Sequence, residues 1–267
     1  VSLNAQRYGD RGSKKNRNSN NRKAKVEGTT DSLPKNKWEE DRKAKIKVIH
    51  PRSDAQKASL WSFEENMVTV NSGAVASGKT AVACWWAANQ VAQGNFDKII
   101  IGRPTTRLNG RDNGHRQGSL LQKLYGFHAP MIEYISDVFG RNAVDMQLEK
   151  GTGWVEILDF EAMRGITVRN RTILILDEAQ LLYPDEVDCL MTRLGEGCKM
   201  ILCGDPSTMQ NDNKIEMNGL QYLEEIVSRY HIPNIGFVKY RIKDICRSDF
   251  VYDYVIAMQD YHNLDVQ

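Results

Sequence analysis

Strand-like and helix-like segments alternate from end to end of the 267-residue chain, which predicts an α/β fold: one parallel sheet with helices on both faces. Three observations carry that expectation. The strand candidates are short, continuous apolar runs such as Thr172–Leu176, the pattern of strands buried on both sides. Longer stretches of helical periodicity separate them. Glycines and acids stand where the runs end, at the edge where open parallel sheets bind ligands.

The elements follow in order. Residues 1–25 hold eight Lys and Arg against the lone acid Asp10, a local charge of +7 that leaves −5 for the rest of a chain of net charge +2. That stretch is rich in Asn, Ser and Gly and lacks the apolar surface that would offset ordering, so residues 1–45 are expected to be a basic, disordered tail. Lys35–Lys47 mixes Lys with Glu39, Glu40 and Asp41, as a short exposed helix would. The folded domain is placed at residues 46–267. Met67–Ser72 reads as the first strand, Lys79–Gln93 as a helix stopped by Gly94, and Lys98–Gly102 as the second strand. Thr105–Gln117 is polar and basic without apolar periodicity, a mobile loop whose Arg107 is available to a substrate strand or a neighbouring subunit. Strands follow at Thr172–Leu176, Lys199–Gly204 and Ile235–Tyr240, and helices at Leu120–Val138, Pro184–Leu194, Glu216–Tyr230 and Arg247–Gln259.

Several classes fall away. The longest apolar run, Ala81–Ala88, is far below the roughly 20 residues of a membrane span. The start of the sequence lacks the pattern of a secretory leader. The five cysteines are scattered with no C-x-x-C pair, which fits a reducing, cytoplasmic setting and neither a disulfide framework nor a zinc site. The five histidines show no catalytic or metal-ligand spacing.

Gly73, Ala74, Val75, Ala76, Ser77, Gly78, Lys79 and Thr80 match G-x-x-x-x-G-K-[ST] in full, between a strand and a helix. Backbone N–H groups and a helix N-terminus there surround an anion, Lys79 adds charge at β and γ phosphates, and Thr80 offers Mg²⁺ a hydroxyl. A magnesium–nucleotide site needs a second anchor. Asp177 and Glu178 follow the strand Thr172–Leu176, so Asp177 is expected to hold Mg²⁺ through its water shell while Glu178 activates the attacking water.

Further motifs give the pattern a family. Met163-Arg164-Gly165 precedes Asp177-Glu178-Ala179-Gln180. Thr192-Arg193-Leu194-Gly195-Glu196-Gly197 leads into Gly204-Asp205-Pro206, and Asn218-Gly219-Leu220 is followed by Asp244-Ile245-Cys246-Arg247-Ser248. In this order the chain resembles a PhoH-like ATPase, a single-domain relative of superfamily 1 helicases with a RecA-like P-loop domain. The resemblance spans about Val48–Asp260. It implies that Gln56 reads adenine, that Asp205 and Gln210 form the γ-phosphate sensor, and that Gln180 belongs to the catalytic box. It also implies that Arg247 stabilises charge on the transferred phosphoryl group and that Arg103 faces nucleic acid. Two departures leave open whether Gln180 or Gln210 senses the γ-phosphate: Leu181 stands where the family commonly has Asn, and five residues separate Gly204 from Gln210.

The expected function is therefore Mg²⁺-dependent ATP hydrolysis coupled to RNA or single-stranded DNA. Superfamily 1 helicases place ATP between two such sheets and this chain has one, so a homo-oligomer with an arginine supplied in trans, Arg164 or Arg193, is expected. The alternatives are a nucleotide-timed binding or assembly protein and a small-molecule kinase.

Overall fold

A computed structural model describes residues 44–104, 120–151, 153–158, 165, 167–207 and 217–261. The basic stretch 1–25, the loop 105–117 with Arg107, Arg164 and Gln210 lie outside the described residues. The described residues all belong to the compact unit Glu40–Gln267.

Six strands form one sheet in the order β3-β2-β4-β5-β1-β6. They are β1 (Val68–Gly73), β2 (Lys98–Gly102), β3 (Val155–Ile157), β4 (Thr172–Leu176), β5 (Lys199–Gly204) and β6 (Ile235–Tyr240), and every pairing is parallel. All six strands therefore end at one edge. Alternation along each strand feeds two cores. Ile99, Ile101, Ile173 and Ile175 point to one, under α1 (Asp54–Glu65), α2 (Lys79–Ala92), α3 (Leu120–Phe139) and α4 (Arg141–Lys150). Ile100, Leu174 and Leu176 point to the other, under α5 (Pro184–Met191) and α6 (Gly219–Tyr230). Of the last helix, α7 (Asp249–Tyr261), only Val255 is buried. Among the described residues no helix is long and apolar enough to cross a membrane.

The strand β1 breaks the apolar pattern because α1 packs a serine face against it. Buried Thr69 and Asn71 each meet a serine hydroxyl at 2.8 Å, from Ser62 and Ser59, so the polar atoms inside the layer are satisfied.

Several expected boundaries shift. The helix expected over Lys35–Lys47 is not formed in its described part, where residues 44–50 run without regular structure. Their backbone is committed elsewhere: the Lys45 amide donates to the Val138 carbonyl at 2.8 Å, and Lys47 bonds the Asn89 side chain through both its amide and its carbonyl. Among the α-helices and strands of the described residues, α1, α4 and the three-residue β3 went unpredicted. Hydrogen bonds to the residue before each helix mark the starts of two helices. The Asn218 side chain accepts from the amides of Leu220 and Gln221 and starts α6 at Gly219, and the Ser248 carbonyl accepts from Val251 and Tyr252 at the start of α7. Arg247 consequently stands before α7 and not in it. The helix expected to Leu194 stops at Met191.

Candidate active site

The strand β1 delivers its chain into a loop that fits only glycine at its corners. Gly73 has φ +116°, and a Cβ there would stand 2.1 Å from the Tyr240 carbonyl oxygen on β6. At Gly78, φ +81°, a Cβ would meet the Gln56 amide nitrogen at 2.8 Å. The loop is braced from behind. Ser77 Oγ donates to the Ala74 carbonyl at 2.7 Å, and the Cys246 amide donates to the Ala76 carbonyl at 3.1 Å.

Gln56, expected to read adenine, is also part of that brace. Its Nε2 donates to the Ser77 carbonyl at 2.9 Å and its Oε1 accepts from the Arg52 amide at 2.8 Å. With both ends of a buried amide bound to backbone, Gln56 shapes the phosphate loop. Gly73 and Ala74 likewise lie beneath the cleft. Their carbonyls each accept from Lys79 Nζ at 2.7 Å, while Val75, Ala76, Ser77, Gly78, Lys79 and Thr80 line it. Burial lowers the proton affinity of the Lys79 ammonium, and the nearby acids Asp205, Asp177 and Glu178 work against that shift.

The opposite wall comes from the end of β4. The Asp177 amide donates to the Gly102 carbonyl at 2.9 Å, and Thr80 Oγ1 donates to Asp177 Oδ1 at 2.7 Å, joining the start of α2 to the acidic tip. Burial raises the Asp177 pKa, the Thr80 hydrogen bond opposes the rise, and the neighbouring Glu178 charge adds to it. Glu178 adopts the left-handed conformation, φ +54°, a conformation uncommon outside glycine and one that concentrates at functional sites. Its two oxygens are engaged separately: Arg103 Nη2 approaches Oε1 at 3.2 Å, and Gln180 Nε2 donates to Oε2 at 2.7 Å. The fully buried Gln180 also accepts from the Asp205 amide at 3.1 Å through Oε1. A Cβ on Gly204 would stand 2.5 Å from that oxygen, so the glycine at the end of β5 is what lets Gln180 link the two acidic tips.

Together these walls enclose an open cleft of about 290 Å³. It brings together Lys79, Thr80, Asp177, Glu178, Asp205, Arg103 and Arg247, with Gln180 directly behind. Pro130 and Tyr134 of α3 complete its rim. They escaped the sequence reading, although their spacing of four residues puts them on one helical face. Arg193 is elsewhere: its Nε donates to Cys189 Sγ at 3.2 Å, and it does not line the cleft.

A glycine-cornered loop between strand and helix, its lysine and threonine facing an acidic pair at the end of a parallel strand, defines a P-loop nucleotide-binding domain. The chain belongs to the PhoH family: the family model described as PhoH-like protein matches residues 48–259. It is 29% identical over 208 residues to the PhoH-like protein of Bacillus subtilis, an alignment covering 78% of this chain and 63% of that one. It is 31% identical over 157 residues to Protein PhoH of Escherichia coli, covering 59% of this chain and 44% of that one. The chain thus spans less than two thirds of the length of either relative. Among solved structures, the large terminase of a thermophilic bacteriophage is similar at a TM-score of 0.48 and 13% identity, over 77% of this chain and 49% of that one.

Proposed function

We propose that this chain binds ATP with Mg²⁺ and hydrolyses it, coupled to binding of RNA or single-stranded DNA. The observation that carries the reading is the meeting of Lys79, Thr80, Asp177 and Glu178 on one cleft, with Thr80 and Asp177 in direct contact.

The loop's backbone amides and the N-terminus of α2 take the phosphate chain, and Lys79 exchanges its loop carbonyls for β and γ phosphate oxygens. Thr80 and Asp177 are hard oxygen donors side by side, a set that fits Mg²⁺, which takes few protein ligands and completes its shell with water and phosphate. When bound, the ion neutralises charge on the phosphate oxygens. Glu178 orients a water whose oxygen bonds the γ phosphorus as the bond to the β–γ bridging oxygen breaks. The water's proton passes to the Glu178 carboxylate. Gln180, reaching both Glu178 and the Asp205 amide, couples the base to the γ-phosphate end of the cleft. Arg247 lines the same cleft and is exposed, which supports a role in meeting charge on the transferred group.

The basic residues 1–25 support a nucleic-acid partner, as phosphate backbones bind largely through Lys and Arg. Arg103, at the C-terminal edge of the sheet, is the proposed contact closest to the chemistry, and Arg107 is a further proposed contact. An arginine from a second copy of the chain is proposed to complete the site.

The test is phosphate release from ATP. Release that requires Mg²⁺ and stops with excess EDTA is the expected result, and no release from folded, ATP-binding material refutes the reading. The raised Asp177 pKa adds a pH expectation. Asp177 protonates above the ordinary carboxylate range, so metal-dependent turnover falls off at a higher pH than an unperturbed aspartate would give. Half-saturating Mg²⁺ measured across a pH series checks it, and Asp177→Asn, lacking the titrating group, should flatten that dependence.

A further inference from the structure

The cation against Glu178 is out of keeping with a base that must accept a proton. Arg103 Nη2 lies 3.2 Å from Glu178 Oε1, and the two side chains are 34% and 29% exposed. The contact is a single one and partly solvated, so the pair is weak and open to competition. The other carboxylate oxygen is held differently: Gln180 is fully buried, and its two bonds, to Glu178 and to the Asp205 amide, fix that side in the protein frame. Glu178 therefore has one permanent partner and one replaceable partner. The replaceable one stands at the end of β2, tied to Asp177 through the Gly102 carbonyl, on the wall of the nucleotide cleft.

We propose that Arg103 is a positioning residue that restrains Glu178 until the phosphate backbone of a single-stranded nucleic acid takes its guanidinium. This rests on the ATPase reading above. The chemistry is an exchange of anions. While Arg103 pairs with Oε1, that oxygen is occupied by a cation and is a poor acceptor for a water proton. A phosphate oxygen offers guanidinium the better, bidentate partner, and Glu178, still anchored by Gln180, turns to the water. No covalent bond forms or breaks in this step; one hydrogen-bonded ion pair is exchanged for another. Its effect is to make hydrolysis faster when the strand site is occupied.

The experiment is steady-state phosphate release by the full chain, with and without poly-uridylate or oligothymidylate. Wild type, Arg103→Ala, Arg103→Lys and Glu178→Gln are compared, with the ATP dissociation constant of each measured by a fluorescent analogue. Arg103→Ala should raise strand-free turnover by about fivefold, the ceiling for an ion pair of this exposure. Addition of the strand should then stimulate it no further. Arg103→Lys should keep part of the restraint, and nucleotide affinity should not move in either variant. The two polymers separate RNA from DNA as the source of the phosphate. Unchanged or lower strand-free turnover in Arg103→Ala overturns the proposal. So does weakened ATP binding, which would give the guanidinium to the nucleotide's own γ-phosphate, and so does a wild type that no strand stimulates. Full turnover in Glu178→Gln, by contrast, overturns the ATPase assignment itself.

Discussion

Glu178→Gln is expected to slow phosphate release from bound ATP by about 10²–10⁴-fold, the range that a positioned general base supplies, while leaving nucleotide binding within about twofold. The argument is geometric. Gln180 and Arg103 engage the two Glu178 oxygens, and neither Lys79 nor Thr80 depends on Glu178 for its position. An amide of the same shape keeps an oxygen in the site and can still accept one hydrogen bond, so the tip after β4 keeps its fold. What disappears is the capacity to take a proton. Single-turnover release with saturating nucleotide, set beside the dissociation constant from titration, separates the two effects. Asp177→Asn makes the contrast: it should raise the Mg²⁺ requirement first, because Asp177 meets Thr80 where the ion would sit. If Glu178→Gln turned over at the wild-type rate with normal affinity, water activation would belong to another group.

The layered sheet was legible because its central strands β2 and β4 are buried on both faces and so appear as nearly unbroken apolar runs, Lys98–Gly102 and Thr172–Leu176. The phosphate loop and the acidic pair were legible for another reason: the chemistry demands those residue types at fixed spacing. What escaped obeys no such rule. The helix α1 turns Ser59 and Ser62 inward to meet Asn71 and Thr69, so its buried face carries no apolar stripe. The strand β3 is three residues long and gains its place by pairing with β2, a long-range contact that local pattern does not encode. Gln56 shows how a motif can carry a position while leaving its contacts unread. The sequence places an amide beside the phosphate loop, but only the fold reveals that Arg52 and Ser77 have already taken both its ends. The Arg103–Glu178 pair is of the same kind, joining residues 75 positions apart that meet because β2 and β4 are neighbours.

Lys79→Met should abolish the thermal stabilisation that ATP gives the wild type, while changing the stability of the ligand-free chain by no more than about 1 kcal/mol. The sign follows from the Lys79 shift. Burial lowers its folded-state pKa below the ordinary lysine value, so folding disfavours the ammonium form. Its contribution to stability is fully present only above the unfolded pKa, near about 10.4, and is lost as pH falls through the lowered folded value. At neutral pH the buried cation is therefore a cost, offset by its bonds to the Gly73 and Ala74 carbonyls and by the three nearby acids. Methionine removes the cost and the bonds together, which is why the ligand-free chain should barely change. A bound triphosphate alters the balance in the wild type alone, because its oxygens give the ammonium a full counter-charge. At a hundredfold excess over the dissociation constant, binding contributes about 2.7 kcal/mol, which for a domain of this size raises the melting temperature by roughly 5–10 °C. Thermal melts of both proteins with and without Mg·ATP read this directly. An equal ATP-induced rise in Lys79→Met would mean that the lysine does not meet the phosphates, and the loop would then need another ligand to explain its glycine-cornered shape.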